Sequence, residues 1–320
     1  MEYTRLGNTG LVISRLGLGC MSYGDRARGG HQWVLDEADA QAHFRRAVDL
    51  GITFWDTANV YSGGSSEEIT GRAIRALTKR ENIVLATKVH GLMHHGPGGS
   101  GLSRKAILEQ VDASLTRLGT DYIDLYQIHR FDPQVPIEET MEALHDVVRA
   151  GKARYIGASS MHAWQFAEMQ AAADVNGWTR FVSMQDQYSL IQREEEREMF
   201  GLCNYQGVGL IPWSPLARGR LARPWDASTE RLETDQVIPR IMRGDEKPIV
   251  DAVQQVAASR GVPMATIALA WVLRRVTAPI VGSTKDHHLT DAVRALDIDL
   301  TQDEVDQLEG PYTPRVPTGY

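Results

Sequence analysis

The chain has 320 residues, 42% hydrophobic and 23% charged, with a formal net charge of −7 and a pI near 5.8. That composition supports a real core, in one α/β barrel or in two smaller layered domains. The acidic balance argues against a nucleic-acid partner or an anionic membrane surface, and no stretch approaches eighteen continuous apolar residues.

The opening MEYTRLGNTG lacks a basic segment followed by an apolar run, so no signal peptide is expected. Cys20 and Cys203 have no C-x-x-C or finger spacing, which disfavours zinc and redox motifs and suits a reduced, cytoplasmic setting. The segment EYTRLGNTGLVISRL reads as a small hairpin turned at GNTG.

A series then begins at RLGLGC and alternates short apolar runs with helical patterns. Helices are expected near 37–50, 66–79, 103–118, 138–150, 163–176, 193–203, 248–260 and 286–296. The runs between them are ITFWD, IVLATK, YIDLYQIH, ARYIGAS, FVSMQ, VGLIPWS and APIVGST. An extra helix, MATIALAWVLRR, precedes the last run. Ala106, Ile107, Val111, Leu115 and Leu118 repeat at three and four positions. Gly51, Gly151, Gly207 and Gly261 stand just past helix ends, where a left-handed cap is needed.

Eight strand–helix units predict a (β/α)₈ barrel, one domain over 1–320, with an open doubly wound sheet as the rival. The G-x-G of LGLGC lacks the third glycine of a dinucleotide fingerprint, which weakens that rival. REEEREM at 193–199 reads as a solvated helix start. The pairs His94–His95 and His287–His288 lack metal-ligand spacing, and no metal is expected.

Barrels place chemistry at the C-terminal ends of their strands. Those ends carry Asp56 with Tyr61 beyond it, Lys88, His129, Ser159–Ser160, Gln185, Trp213–Ser214, and Gly282–Ser283–Thr284–Lys285. Each alone has an ordinary structural explanation: a cap, a solvated charge, a core ring. Together they point to one mouth. A buried Lys88 needs a carboxylate, and Asp56 lies on the neighbouring strand. A lysine beside a phenol favours the phenolate, which makes Tyr61 usable as a proton donor near neutrality.

Asp56, Tyr61, Lys88 and His129 resemble, in order and spacing, the catalytic tetrad of the aldo-keto reductases. WDTANVYSGGSSEEITGRAI, LATKV, RLGTDYIDLYQIHRFD, GKARYIGAS and IPWSPLARG carry the same likeness from residue 3 to about 312. The branch most resembled holds aryl-alcohol dehydrogenase-like enzymes and potassium-channel β-subunits.

The resemblance implies that Tyr61 protonates a carbonyl oxygen, Lys88 and Asp56 tune it, and His129 orients the carbonyl and shares the proton chemistry. It implies an NADPH/NADP+ site. Ser159, Ser160 and Gln185 would meet the carboxamide, and Trp213 would stack on the nicotinamide. Ser214, Pro215, Leu216, Arg218 and Gly219 would line the diphosphate, and Gly282, Ser283, Thr284, Lys285 and His288 the adenosine side. Four positions depart from the family pattern: Trp213 for a stacking tyrosine, Ser160 for an asparagine, His288 for arginine or glutamine, and Ala292 for an asparagine. Steroid double-bond reductases of the family carry glutamate in place of His129, so the likeness favours carbonyl over alkene reduction.

The leading expectation is an NADPH-dependent reductase of aldehydes or ketones, reversible with alcohol oxidation. A nucleotide-binding redox-sensing regulatory subunit is the alternative. A metal-dependent hydrolase using Asp56, His90 and His129 lacks the H-x-H expected on the first strand. Substrate choice is expected from loops 91–102 and 218–247 and from a tail with Tyr312 and Tyr320. Trp33 and Trp225 are expected to line the pocket. Asp286 is expected to cap the last barrel helix. Oligomeric state is not legible.

Overall fold

The computed structural model describes residues 1–317, the side chains at 240 and 241 excepted, so Tyr320 lies outside the described residues. Strands β1 (Tyr3–Arg5) and β2 (Val12–Ser14) form the expected antiparallel hairpin. Its turn brings Leu6 N–H to the Leu11 carbonyl, 2.8 Å away.

Eight further strands among the described residues form one parallel sheet. They are β3 (Gly17–Gly19), β4 (Phe54–Asp56), β5 (Val84–Val89), β6 (Ile123–Ile128), β7 (Ala153–Ser159), β8 (Phe181–Gln185), β9 (Gly209–Leu210) and β10 (Ile280–Gly282). The order runs β10-β3-β4-β5-β6-β7-β8-β9. The seam is bridged by Thr277 N–H to the Leu210 carbonyl (2.9 Å) and Ile280 N–H to the Pro212 carbonyl (2.9 Å), closing a (β/α)₈ barrel. β9 is two residues long because Pro212 has no N–H to continue a ladder.

Around the sheet lie α1 (Glu37–Asp49), α2 (Ser65–Leu77), α3 (Arg104–Leu118), α4 (Ile137–Arg149), α5 (Ala163–Asn176), α6 (Met199–Gln206), α7 (Glu230–Thr234), α8 (Ile238–Ile241), α9 (Lys247–Arg260), α10 (Met264–Leu273), α11 (His288–Arg294) and α12 (Gln302–Glu309). Asp36 and Ser103 cap α1 and α3 by accepting from Asp39 N (3.0 Å) and Ala106 N (3.3 Å). The four glycines expected past helix ends all have positive φ. No single described helix is long and apolar enough to cross a membrane.

Strand side chains alternate faces, so residues two apart share the barrel interior. One inner layer is apolar: Phe54, Ala86, Leu125, Ile211 and Ile280, packed with Leu6 and Ile13 of the hairpin. Two residues further along β4, β5, β6 and β8, the interior turns polar at Asp56, Lys88, Gln127 and Gln185. The hairpin thus packs against the floor of the barrel, and the strand ends build the mouth.

Three local expectations are corrected. The helix expected over 193–203 is a short 3₁₀ turn, Glu194–Glu196, followed by α6; Glu198 sits between them at φ −138°. Two of its four acids are not solvated. Glu194 and Glu195 are buried, and Glu194 accepts from the Tyr312 hydroxyl (2.7 Å) and from Arg315 N–H (2.8 Å). Asp286 does not cap α11; His287 holds that position without a side-chain cap bond. The segment 218–247 is not structureless, because it carries a 3₁₀ turn at Ala217–Ala222 and the short α7 and α8.

Candidate functional site

The polar layer at the mouth is a closed hydrogen-bond network around Asp56. Lys88 Nζ donates to Asp56 Oδ1 at 2.5 Å, to the Thr57 carbonyl at 2.9 Å and to the Tyr61 hydroxyl at 3.4 Å. These use all three ammonium protons, as a fully buried lysine requires. Asp56 Oδ2 accepts from Gln127 Nε2 (2.9 Å) and from Gln185 Nε2 (3.0 Å). Both carboxylate oxygens are therefore committed, which leaves Asp56 poorly placed as a metal ligand. Burial works against the Lys88 charge, but Asp56 and then Tyr61 outweigh it and hold its pKa above the ordinary value.

Tyr61 is placed by the turn that follows it. Ser62, Gly63 and Gly64 have φ of 46°, 56° and 89°. A Cβ on Gly63 would lie 2.8 Å from the Arg28 carbonyl oxygen, and one on Gly64 2.7 Å from Arg117 Cδ. The serines beyond fasten the turn. Ser65 Oγ donates to the Ser62 carbonyl (2.8 Å) and Ser66 Oγ to the Cys20 carbonyl (2.7 Å). The composition of SGGSS is thus the means of holding a phenol over the barrel end.

His129 follows β6, with its ring edge-on to Tyr61 at 5.7 Å between centroids. Burial first, then Lys88 and Arg130, push its pKa well below the ordinary value, so the ring is neutral at pH 7. Asp56, Tyr61, His129, Gln185 and Trp213 all line one cavity of about 890 Å³. Lys88 stands behind Tyr61 and Asp56, outside the lining.

Ser214, Pro215, Leu216, Arg218, Gly219, Gly282, Thr284, Lys285 and His288 line the same cavity, as expected of a single elongated site. Trp213 is fixed by Nε1 donating to Ser160 Oγ (3.1 Å) and by its N–H on the Asp186 carbonyl (2.9 Å). Ser160, Ser214, Ala217 and Arg218 have positive φ without being glycine, a concentration of backbone strain at one rim. Among the described residues, the N–H groups of Ser214 and Leu216 keep no partner, so they remain available to an anion.

Other expected contacts are redirected. Ser159 Oγ donates to the Gln185 carbonyl (2.7 Å), and Ser283 Oγ meets His43 Nδ1 (2.9 Å); neither serine lines the cavity. The Gly219 N–H is taken by the Leu216 carbonyl (2.9 Å) and the Thr284 N–H by His288 Nδ1 (3.3 Å). His288 is pushed down to about 4 by burial, then by His287 and Lys285, so at neutral pH it carries no charge toward a phosphate. The Arg218 guanidinium is held by Asp235 at 2.6 Å. Arg231 of α7 lies 3.9 Å over the Trp33 ring, which stacks on His31. The 218–237 segment and the 21–35 loop therefore meet over the groove.

The walls differ from those expected. Loop 91–102 does not line the cavity, and neither does Trp225, which packs under Arg220 at 3.7 Å, or Tyr312, which bonds to Glu194. Trp33 does. Residues 21–35 were missed as a wall because RARGGHQW carries no periodic signal. Gln127 was missed as a site residue although it stands two before His129, on the inward face. Arg130 and Arg223 also line the cavity and were not expected there.

The sequence model of the Aldo/keto reductase family matches residues 15–312. An aldo-keto reductase of Alternaria alternata, AMT2, is 46% identical over 99% of this chain and 93% of its own. A versiconal hemiacetal acetate reductase of Aspergillus parasiticus is 47% identical over 98% of each chain. A candidate aryl-alcohol dehydrogenase of Schizosaccharomyces pombe, C977.14c, is 45% identical over 98% of this chain and 96% of its own.

Proposed function

The chain belongs to the aldo/keto reductase family, and on that premise we propose that it is a metal-independent, NADPH-dependent reductase of aldehydes or ketones, reversible with alcohol oxidation. An oxidoreductase acting on carbonyls is what the family match and the reductase-named relatives support. The cofactor, the proton donor and a cytoplasmic setting are our reading, as is a single domain over 1–320. The observation that carries it is the Asp56–Lys88–Tyr61 chain, ending in a phenol that faces the cavity beside a neutral His129.

The groove suits a dinucleotide with an extra phosphate. Its lining includes Trp213, Ser214 and Leu216 with their free N–H groups, and the cationic Arg223 and Lys285. NADPH, when bound, supplies the hydride. The chain's own part is to hold the carbonyl oxygen between the Tyr61 hydroxyl and the His129 ring, and to deliver the Tyr61 proton as charge builds on that oxygen. Lys88 stabilises the phenolate that remains, and Asp56 keeps Lys88 charged and in place. A wild-type screen for NADPH consumption with aldehydes, ketones and quinones tests the reading. Consumption with at least one simple aldehyde is expected; none across the panel overturns it.

A further inference from the structure

Arg130 follows His129 at the end of β6 and lines the cavity with Tyr61, His129 and Trp213. Among the described residues its guanidinium makes one hydrogen bond, from Nη1 to the His129 carbonyl. Four N–H donors remain on a group that stays charged at neutral pH. No carboxylate forms an ion pair with it among the described residues. Asp186 is buried and does not itself line the cavity. Burial, then Glu195, raises the Asp186 pKa well above the usual carboxylate range, which weakens its hold on Arg130. Tyr61 and Asp186 are the groups whose charge acts on Arg130, which puts the cation beside the phenol.

We propose that Arg130 is a specificity-determining residue that selects carbonyl substrates carrying a carboxylate close to the reacting carbonyl. This rests on the reductase reading above. A planar guanidinium with a free edge matches a carboxylate through two parallel N–H···O bonds. The bond from Nη1 to the His129 carbonyl already fixes the guanidinium end of the side chain, so little order has to be gained on binding. In a partly enclosed cavity such a charge-assisted contact corresponds to about ten- to a hundred-fold in selectivity.

The test uses the full chain with NADPH and 2-, 3- and 4-carboxybenzaldehyde, each against its near-isosteric formylbenzamide. In the wild type, kcat/KM for at least one acid should exceed that of its amide by about tenfold or more, mainly through KM. Arg130→Met should bring that ratio to about one, and Arg130→Lys should restore part of it. Arg130→Gln reads the same ratio if the methionine variant does not fold. Using a ratio cancels any general loss of activity. A wild-type ratio near one, or a ratio that survives both neutral substitutions, overturns the proposal alone. Absence of NADPH consumption by the wild type, here and across the wider carbonyl screen, removes the reductase reading and this proposal with it.

Discussion

Lys88 and Tyr61 meet across two strand ends, Nζ to phenol oxygen 3.4 Å apart, while the same nitrogen is anchored 2.5 Å from Asp56. The ammonium thus faces the phenol without being free to move toward it. Lys88→Met removes the cation and keeps most of the volume. Activity should be lost across the neutral range, and the unpaired Asp56 should cost about 3–5 kcal/mol of stability. The Lys88 pKa is raised in the folded state, so its stabilisation is complete below the unfolded value of about 10.4 and is lost only as pH climbs through the higher folded value. The contribution of Lys88 should therefore be flat across the neutral range in the wild type. An unchanged pH–rate profile in the variant would make Lys88 purely structural.

Gln127 holds the far side of the same carboxylate. Gln127→Leu leaves Asp56 Oδ2 with Gln185 as its remaining donor. Urea denaturation should show a loss of about 1–3 kcal/mol, with a fall in kcat as Lys88 loses its fixed partner. Wild-type stability and kcat together would remove Gln127 from the network.

Asp186 gives a pH dependence of stability with the opposite sign from most paired carboxylates. Its pKa is raised on folding, by burial and then by Glu195. Below the unfolded value of about 3.9 both states are protonated and there is no penalty. Above it the unfolded chain ionises first, so stability falls as pH rises toward the folded value. Asp186→Asn should flatten that fall, seen as a smaller drop in urea midpoint between pH 5 and pH 8. Parallel curves for the two proteins would show that Asp186 is already ionised in the folded state.

The preference for NADPH over NADH is carried, on this reading, by Lys285, exposed at the groove end with a neutral His288 beside it. Lys285→Ala should weaken NADPH by about ten- to a hundred-fold and leave NADH nearly untouched. Titration of both cofactors by quenching of intrinsic tryptophan fluorescence measures this. Equal losses, or a wild type that prefers NADH, would contradict the assignment.

Much of this was legible before any coordinates. Short apolar runs between helical patterns put Asp56 and Lys88 at strand ends, and helical periodicity with glycine caps located most helices. The parts that were not legible have physical causes. Gln127 looked like filler in YIDLYQIH, since one strand does not reveal which polar residue its neighbours will need. Ser159 and Ser283 sit at strand ends, yet their hydroxyls are taken by Gln185 and His43, and such pairings are long-range. The wall at 21–35 is irregular chain held by Ser65 and Ser66, and its burial comes from contacts forty residues away. Tyr312 carries an aromatic signal but is used to bind Glu194 on another face.

The proton-donor assignment is tested most directly by the single-turnover rate of Tyr61→Phe, with NADPH affinity measured on the same sample. The substitution removes one oxygen and keeps the ring against His129. A fall of about 10²–10⁴ in rate with NADPH affinity within a few-fold is the expected result. A rate near that of the wild type would contradict the assignment of Tyr61 as the acid.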